Sequence, residues 1–457
     1  IINSSVQFQK FSYIINDAKP AVIIADVRKK GIVDKAVTTN KHACNVIWVG
    51  AQSPIEEDHQ YITAYLWRNM FTVSALNTGD YTTQYTHINR CIDIDLAGLI
   101  YTSGSTGDPK GVMETHRNII SAAQSIIQYL ENTPDDKILV TLPLSFDYGL
   151  YQVIMAFMFG GTIVLEKSFI FLSKILSLIS RENITGFPVV PTIVAMIFKT
   201  IDLRSFDLRS LRYITNTGAA FPVDHIRKLR KALPHVQFYS MFGLTECKRI
   251  AYLPPERVDD KPESVGQAMP NCEVFIVDED GKQVKPGEVG ELIVRGSNVM
   301  QGYWNAPELT AKTFKPALGF KENLLFTGDY FKQDSEGLLY FIGRIDDMIK
   351  SRGERISAKE VEHIITQIDG VAECAVVGED DDILGQAVKA FVVPVPGMKV
   401  TSKKVVEYCS KNLEPYCIPK SVKFVEELPR TPHGKIDRKK LNKGSVNDQV
   451  VKKTMNK

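Results

Sequence analysis

Short apolar runs alternate with polar or helix-periodic segments through the first half of the chain. Apolar runs that are separated by helical segments are typical of parallel strands in a βαβ pattern. The predicted strands are residues 21–25, 46–49, 96–101, 138–142, 162–165, 186–191 and 213–217, and the predicted helices are 116–130, 150–159 and 171–181. This alternation predicts a doubly wound α/β body.

The pattern changes at about residue 263. Three apolar runs follow, separated by turns rich in Asp, Glu and Gly, and they predict a small antiparallel β-unit over about 263–343. The predicted strands of this unit are 274–277, 290–295 and 338–342.

Beyond the polar segment Gly343-Arg-Ile-Asp-Asp347, helix and strand patterns return. The predicted elements are helices 359–367 and 403–412 and strands 372–377 and 387–393. We therefore predict an α/β protein with a large N-terminal domain, residues 1–345, made of doubly wound α/β subdomains plus the β-unit. A smaller, mobile α+β C-terminal domain, residues 346–457, follows it.

Residues 148–165 carry no formal charge over eighteen positions, which is near the length of a membrane-spanning helix. Gly160 and Gly161 interrupt the run, and the β-branched residues after them favour a strand. The sequence therefore predicts a buried helix, a turn and a strand here, and no integral membrane segment.

The composition is that of an ordinary globular protein, with 457 residues, 44% hydrophobic, 24% charged, and a formal net charge of +2. This balance gives no sign of a nucleic-acid partner. Seven scattered cysteines include no Cys-x-x-Cys and no zinc-ligand spacing, so we expect buried free thiols and a reducing, cytoplasmic location. The chain starts at Ile1 without a signal peptide, and we expect that an N-terminal portion is missing from it.

The stretch Tyr101-Thr-Ser-Gly-Ser-Thr-Gly-Asp-Pro-Lys-Gly-Val112 follows a predicted strand and precedes the helix that starts near His116. Its glycines allow several backbone N–H groups to point at one anion, and its hydroxyls and lysine add donors. The P-loop of the NTPases would need Gly and Ser or Thr where Pro109 and Gly111 stand. We predict a strand–loop–helix unit that binds polyphosphate, the alternative being a plain surface loop. Its candidate donors are Thr102, Ser103, Gly104, Ser105, Thr106, Gly107 and Lys110.

Two more motifs carry candidate chemistry. Asn216-Thr-Gly-Ala-Ala220 follows a strand, and its small residues allow a flat ring to approach the backbone. Tyr239-Ser-Met-Phe-Gly-Leu-Thr-Glu246 offers an aromatic face, a hydroxyl and a carboxylate suited to Mg²⁺. Read alone, the first motif could be an ordinary βα turn and the second a helix cap.

The later motifs are shorter. They are Thr327-Gly-Asp329, Gly343-Arg-Ile-Asp-Asp347, Ser351-Arg-Gly-Glu-Arg-Ile356 and Pro429-Arg-Thr-Pro-His-Gly-Lys-Ile-Asp-Arg438. Their plain alternatives are a turn aspartate, solvated arginines and an exposed lysine.

Taken in order from 101 to 438, these motifs resemble those of the adenylate-forming superfamily, which includes acyl-CoA synthetases, peptide-synthetase adenylation domains and beetle luciferases. The resemblance covers nearly the whole chain. It implies ATP, Mg²⁺, and CoA or the phosphopantetheine of a separate carrier protein. The residues it implies are an adenine loop at Gly218, Ala219 and Ala220; an aromatic stack at Phe242 beside Gly243; Thr245 for the α-phosphate; Glu246 for the metal; Asp329 and Arg344 for ribose; Arg355 for phosphate; and Lys435 for catalysis.

The reaction that the resemblance implies has two halves. A substrate carboxylate attacks the α-phosphorus of ATP, and pyrophosphate leaves. A thiol then attacks the acyl-adenylate, and AMP leaves. The resemblance also implies that the C-terminal domain rotates between the halves about a hinge at Asp346, which withdraws Lys435. The protein would be an AMP-forming acid–thiol ligase.

The sequence leaves the acid open among fatty, aryl and amino acids. Phe146-Asp147 partly matches peptide-synthetase adenylation domains, in which the aspartate pairs with the substrate's α-ammonium; otherwise Asp147 caps a helix that starts at Leu150. A stand-alone amino-acid-activating enzyme that loads a carrier protein therefore stays open. Two other classes are a silent nucleotide-binding module, against which Lys435, Glu246 and Asp329 argue, and a luciferase-like oxygenase, for which the sequence offers nothing specific.

Overall fold

The computed structural model describes residues 1–40, 44–50, 64–66, 91–103, 109–218, 221–345, 348–351, 354–381, 384–430 and 436–442. The chain divides into two units. The first unit is Ile1–Pro262, Gln267–Val274 and Val294–Leu325, and the second is Glu263–Gly266, Phe275–Ile293 and Phe326–Lys457. The domain limits 1–345 and 346–457 stay a prediction.

The first sheet of the first unit is parallel and small. Its strands are β1 Val22–Asp26, β2 Asn45–Val49 and β3 Ala64–Leu66, in that order. Helices α1 Phe8–Ala18 and α2 Lys30–Thr39 supply apolar side chains to the core around Trp48, which is 1% exposed. The predicted strands 21–25 and 46–49 are confirmed.

A β-hairpin surrounds the predicted polyphosphate loop. Strands β4 Leu96–Ser103 and β5 Pro109–Thr115 pair antiparallel, and helix α3 His116–Leu130 follows β5. The prediction of a strand–loop–helix unit is therefore wrong in one respect: a second strand stands between loop and helix. The strand forms because distant backbone also binds it, the N–H of Trp304 to Gly111 O at 2.7 Å and the N–H of Met113 to Gly302 O at 2.9 Å.

The predicted start of α3 is confirmed, and it has a local cause. The Thr115 side chain accepts a hydrogen bond from the N–H of Asn118, and the Asn118 side chain accepts one from the N–H of Thr115. This reciprocal arrangement is a capping box, which satisfies two of the N–H groups that a helix start leaves without partners.

The central sheet has seven strands in the order β12-β11-β10-β9-β8-β6-β7. They are β6 Lys137–Val140, β7 Thr162–Leu165, β8 Gly186–Val189, β9 Tyr213–Asn216, β10 Gln237–Phe242, β11 Ala251–Tyr252 and β12 Gln267–Ala268. The pairs among β6 to β10 are parallel, whereas β11 and β12 pair antiparallel. The intervening helices are α4 Asp147–Phe159, α5 Leu172–Glu182, α6 Pro191–Thr200 and α7 Val223–Ala232.

This sheet confirms the predicted α/β body and brings the ends of three strands together. Because β8, β9 and β10 are parallel neighbours, their carboxyl ends, at Val189, Asn216 and Phe242, share one edge of the sheet. In α/β sheets, ligands bind outside the carboxyl ends of the strands.

The charge-free segment 148–165 forms most of α4, a turn at Gly160 in left-handed conformation (φ 77°), and β7, which is the predicted order of elements. The helix is buried on one face only, because Phe157 is 80% exposed. Within the described ranges, no helix combines the length and the apolar character that crossing a bilayer requires. All seven cysteines are free; Cys91 is exposed and Cys272 partly so, while the other five are buried as expected.

An antiparallel sheet stands where the β-unit is predicted. Its strand order is β13-β14-β16-β15, with β17 beside β16. The strands are β13 Cys272–Val277, β14 Val289–Gly296, β15 Phe314–Lys315, β16 Leu324–Gln333 and β17 Leu339–Arg344, and helix α8 Pro307–Thr313 precedes β15. Strands occupy all three predicted positions.

The rest of the second unit is α+β, as predicted. A sheet in the order β19-β18-β21-β20, with β22 parallel to β21, packs against helices around Val361, Ile365 and Val376. The strands are β18 Ile349–Ser351, β19 Glu354–Ile356, β20 Val371–Asp381, β21 Gly385–Pro394 and β22 Ser421–Phe424. The helices are α9 Ala358–Thr366, α10 Ser402–Asn412 and α11 Arg438–Asn442.

Candidate functional site

The two arms of the hairpin hold the ends of the predicted polyphosphate loop. Thr102 lies opposite Lys110, and Ser103 lies opposite Pro109. The Lys110 ammonium lies 5.7 Å from the ring centroid of Tyr303. The loop itself, with Gly104, Ser105, Thr106 and Gly107, lies outside the described residues, so its phosphate contacts stay a prediction.

The predicted adenine loop begins at the carboxyl end of β9. Asn216 is 1% exposed, and Gly218 follows with a φ of +86°, a conformation that favours glycine. A Cβ on Gly218 would lie 3.5 Å from Cζ of Phe146, so the start of α4 lies beside this loop. Ala219 and Ala220 lie outside the described residues.

The turn after β10 is tightly packed. Phe242 ends the strand, and a Cβ on Gly243 would lie 2.1 Å from the carbonyl oxygen of Lys248. Glycine is therefore required at 243 because the returning chain passes directly over it. Asn298, which is fully buried, donates from its Nδ2 to the carbonyls of Cys247 and Arg249 at 2.8 and 2.9 Å.

Glu246 is held at both its backbone and its side chain. Its carbonyl accepts the N–H of Met300 at 3.0 Å, and its Oε1 accepts the hydroxyl of Tyr303 at 2.7 Å. The residue is partly exposed, and among the described residues no Lys or Arg lies within ion-pair distance of its carboxylate. Thr245 is also partly exposed.

A magnesium ion fits this arrangement. Mg²⁺ is usually held in proteins by one or two carboxylates together with substrate phosphates and water. Glu246 is a carboxylate fixed by a hydroxyl and not neutralised by a described cation. Within the described ranges, no three or more His, Cys, Asp or Glu side chains lie together in a way that could hold a metal ion.

In the second unit, the two residues predicted for ribose lie opposite each other. Asp329 on β16 pairs in register with Arg344 on β17, and Arg344 Nε lies 3.0 Å from Asp329 Oδ1. Gly328 has a φ of +69°, and the Thr327 hydroxyl donates to Leu292 O at 2.7 Å, so the turn before Asp329 is fixed. The Asp329 side chain is 2% exposed.

The side chains of three residues that are predicted for the site in the second unit are not described. Arg355 lies opposite Lys350 in the β18–β19 pair, but its side chain is not among those described. The hinge residue Asp346 and the predicted catalytic Lys435 both lie outside the described residues.

Asp147 does not occupy the capping position that the alternative interpretation gave it. Helix α4 begins at Asp147, not at Leu150, and the residue before the helix is Phe146, which makes no side-chain cap. The chain turns early because the N–H of Phe146 donates to Pro143 O at 3.0 Å, and because Gly149 leaves space for that carbonyl, 2.5 Å from where a Cβ would stand. Asp147 Oδ1 accepts the N–H of Tyr148, the next residue, at 2.8 Å.

A buried lysine lies near Asp147, and its position could not be predicted from the sequence. Lys248 Nζ lies 3.9 Å from Asp147 Oδ2 and forms an ion pair with Glu114, and the Lys248 and Glu114 side chains are only 3% and 4% exposed. Burial raises the pKa of the Glu114 carboxyl, and the Lys248 ammonium opposes that rise. The sequence carries no signal for this contact, because 134 positions separate residues 114 and 248. The contact of Tyr303 with Glu246 could not be predicted either, because 57 positions separate the two residues.

Comparisons with known proteins agree with the motifs. The AMP-binding enzyme family model matches residues 1–304, and the model of the AMP-binding enzyme C-terminal domain matches residues 360–435. The chain is 38% identical over 359 residues to an indoleacetate–CoA ligase of Aromatoleum aromaticum, an alignment that covers 78% of this chain and 68% of that protein. It is 34% identical over 354 residues to a delta-poly-L-ornithine synthetase of Acinetobacter baumannii, covering 76% of this chain and 26% of that protein.

Among solved structures, ATP-bound MatB from Rhodopseudomonas palustris matches with a TM-score of 0.82 and 26% identity over 97% of this chain and 82% of that one. The fold, the order of the motifs and both family models therefore agree, and the chain belongs to the AMP-binding enzyme family, the adenylate-forming superfamily.

Proposed function

We infer that this protein is an ATP-dependent, AMP-forming acid–thiol ligase. The observation that carries this inference is Glu246, a carboxylate fixed by Tyr303 and by Met300, beside the carboxyl end of β10 and without a described cationic partner. Family membership supports it, as does the likeness to a protein named as a CoA ligase. The chain aligns with 68% of that ligase, so the activity, the substrates and the partners are our proposal.

In the first half-reaction, one carboxylate oxygen of the acid forms a bond to the α-phosphorus of ATP. The bond from that phosphorus to the bridging oxygen breaks, and pyrophosphate leaves with the electron pair. Both reactants are anions, so the site must neutralise and align them. We propose that the β- and γ-phosphates are bound by Lys110 and by the loop that joins Ser103 to Pro109. Thr245 would donate a hydrogen bond to the α-phosphate.

Glu246 would hold Mg²⁺, which supplies positive charge to the phosphate oxygens. Asp329, aligned by Arg344, would accept hydrogen bonds from the ribose hydroxyls. Lys435 would place its ammonium between the carboxylate and the α-phosphate, and Arg355 would bind phosphate.

In the second half-reaction, a thiolate attacks the acyl carbon of the adenylate. The carbon–oxygen bond to AMP breaks, and AMP leaves with that electron pair. We propose CoA, or the phosphopantetheine of a separate carrier protein, as the thiol. Analysis of products by mass spectrometry tests the proposal: AMP, pyrophosphate and a thioester support it, whereas ADP and phosphate would contradict it.

We further propose that the acid lacks an α-ammonium group. Asp147, the residue that would bind such a group, already has Lys248 Nζ at 3.9 Å and the N–H of Tyr148 at 2.8 Å. A second candidate is a stand-alone enzyme that activates an amino acid and loads a carrier protein. The Phe146-Asp147 pair and the likeness to a poly-L-ornithine synthetase favour it.

Replacing Asp147 by Asn separates these two candidates. The amide keeps an acceptor for the Tyr148 N–H and removes only the charge. For an acid without an ammonium, we expect pyrophosphate exchange to change by less than about threefold, since Lys248 keeps its ion pair with Glu114 when Asp147 loses its charge. A buried ammonium left unpaired would cost about 3–5 kcal/mol, or more than 100-fold. A loss of that size confined to amino acids would establish the second candidate.

The proposed rotation about Asp346 gives another prediction. Proline holds φ near −65° and forbids most of the change that a hinge needs. We expect Asp346→Pro to keep pyrophosphate exchange, if that φ suits the adenylating state, and to lose thioester formation by about 100-fold or more. Asp346→Ala is the matched control and should keep both. Equal loss of both activities in the proline variant would point to a different pivot.

The seven free cysteines support a reducing compartment, and we propose that the protein works in the cytoplasm.

A further inference from the structure

Glu114 and Lys248 form a buried ion pair that the proposed chemistry does not use. The Glu114 residue is 3% exposed and Lys248 6%, and the Lys248 ammonium also lies 4.9 Å from the ring centroid of Tyr151. Removing two charges from water is costly, and such pairs are weak sources of stability compared with apolar packing. A contribution to folding stability therefore does not by itself explain why Glu114 and Lys248 are buried together.

The backbone at Lys248 is constrained. Its φ is +63°, in the left-handed region that non-glycine residues seldom adopt. Both neighbouring carbonyls, of Cys247 and Arg249, are bound by Asn298, and the Lys248 carbonyl rests on Gly243. Strained residues of this kind persist where the surroundings over-determine them, and they cluster at functional sites.

The other partner, Glu114, lies on the strand that carries Lys110. Residues 110 and 114 are separated by an even number of positions, so their side chains leave the same face of β5. The same strand also binds the segment that carries Tyr303, through Gly111 and Trp304, and Tyr303 binds the Glu246 carboxylate. The turn at 245–249 is thus tied to β5 twice, through Tyr303 at Glu246 and through Glu114 at Lys248.

We propose that Glu114 and Lys248 are positioning residues for adenylation: their ion pair holds the turn that carries Thr245 and Glu246 in register with the strand that carries Lys110. The inference rests on the proposed function, because it assigns the pair to the nucleotide site of that reaction. It adds residues that neither the motifs nor the resemblance includes.

Three variants test the pair. Glu114→Gln and Lys248→Met each remove one charge. Glu114→Leu combined with Lys248→Met removes both charges of the pair and leaves Asp147, whose side chain is 13% exposed, without the ammonium 3.9 Å away. The matched control is Asp136→Asn. This change breaks the ion pair between Asp136, whose side chain is 4% exposed, and Arg212. Asp136 and Arg212 precede β6 and β9, so they lie at the opposite edge of the central sheet from Asn216 and Phe242.

Each variant is measured in three ways. Calorimetry gives the Kd of the magnesium complex of α,β-methylene-ATP, thermal unfolding gives the Tm, and pyrophosphate exchange gives kcat and the KM for ATP and for the acid. Misplacing a binding group by about 1 Å can cost about 100-fold in rate. We expect both single variants to lose about 30- to 100-fold in kcat/KM for ATP and about tenfold in nucleotide affinity, with the KM for the acid nearly unchanged.

The double variant separates position from stability. We expect its Tm to exceed that of either single variant, because an apolar pair replaces the buried ion pair and neither Glu114 nor Lys248 is left charged without the other. Its nucleotide Kd should still be weakened, since no directed contact then fixes the turn. The control should lose Tm without a change in nucleotide Kd. Wild-type nucleotide affinity in the double variant, or a control that loses as much affinity as Glu114→Gln, would overturn the proposal.

Failure of the proposed function looks different. In that case the wild-type protein would exchange no pyrophosphate with any acid, whereas the nucleotide Kd would still report on the ion pair.

Discussion

Replacing Lys435 by Ala is expected to lower pyrophosphate exchange by about 100- to 1,000-fold. The acid and the α-phosphate are both anions, and charge accumulates between them as the new bond forms. A lysine ammonium there stabilises the transition state more than the separate reactants, so kcat should fall more than affinity for either substrate. Thioester formation from pre-made acyl-adenylate should be largely unchanged, because that step no longer needs this charge.

Lys440 provides the matched control for this experiment. It lies five positions further along, on α11, with a side chain that is 61% exposed and an ion pair to Asp437. We expect Lys440→Ala to keep both half-reactions. If exchange survives the loss of Lys435, that residue has no role in adenylation.

Replacing Glu246 by Gln is expected to have the second-largest effect, about a 100-fold loss of exchange. The amide can still accept the Tyr303 hydroxyl, so the turn should keep its shape, while the negative charge that attracts Mg²⁺ is gone. The Mg²⁺ concentration for half-maximal exchange should rise, and the Tm should change little, because Glu246 is partly exposed.

Two further variants check the assignment of Glu246. Tyr303→Phe removes the hydrogen bond that the Tyr303 hydroxyl donates to the Glu246 carboxylate. Such a bond contributes about 1 kcal/mol, so we expect pyrophosphate exchange to fall by roughly fivefold. The exposed Glu256 is the control, and Glu256→Gln should leave the Mg²⁺ dependence unchanged. An unaltered Mg²⁺ dependence in Glu246→Gln would mean that another residue holds the metal.

Features with local causes could be predicted from the sequence. The start of α3 follows from Thr115 and Asn118, which are three positions apart and cap the helix between them. Strands β6 to β9 of the central sheet follow from apolar runs that are bounded by polar segments, whereas β10, β11 and β12 are not among the predicted strands. The motif that starts at Asn216 could be placed after a strand because an apolar run precedes it, and β9 lies there.

Features that depend on distant partners could not be predicted. Strand β5 is held by β4 on one side and by residues 302 and 304 on the other, and its own sequence shows no clear alternation. The start of α4 depends on Pro143 and Gly149, which pack a turn against a carbonyl. The contact of Lys248 with Glu114 joins segments that no periodicity connects, so the charge environment of Asp147 was open until the structure was known.

Above all, we infer that this protein joins AMP to a carboxylic acid. The most direct measurement is the incorporation of labelled pyrophosphate into ATP, with the full chain, Mg²⁺, and a panel of fatty, aryl and amino acids tested one at a time. We predict incorporation that requires Mg²⁺ and at least one acid of the fatty or aryl classes. Tight binding of the magnesium–ATP complex without incorporation for any acid would contradict this inference, and it would make the protein a silent nucleotide-binding module.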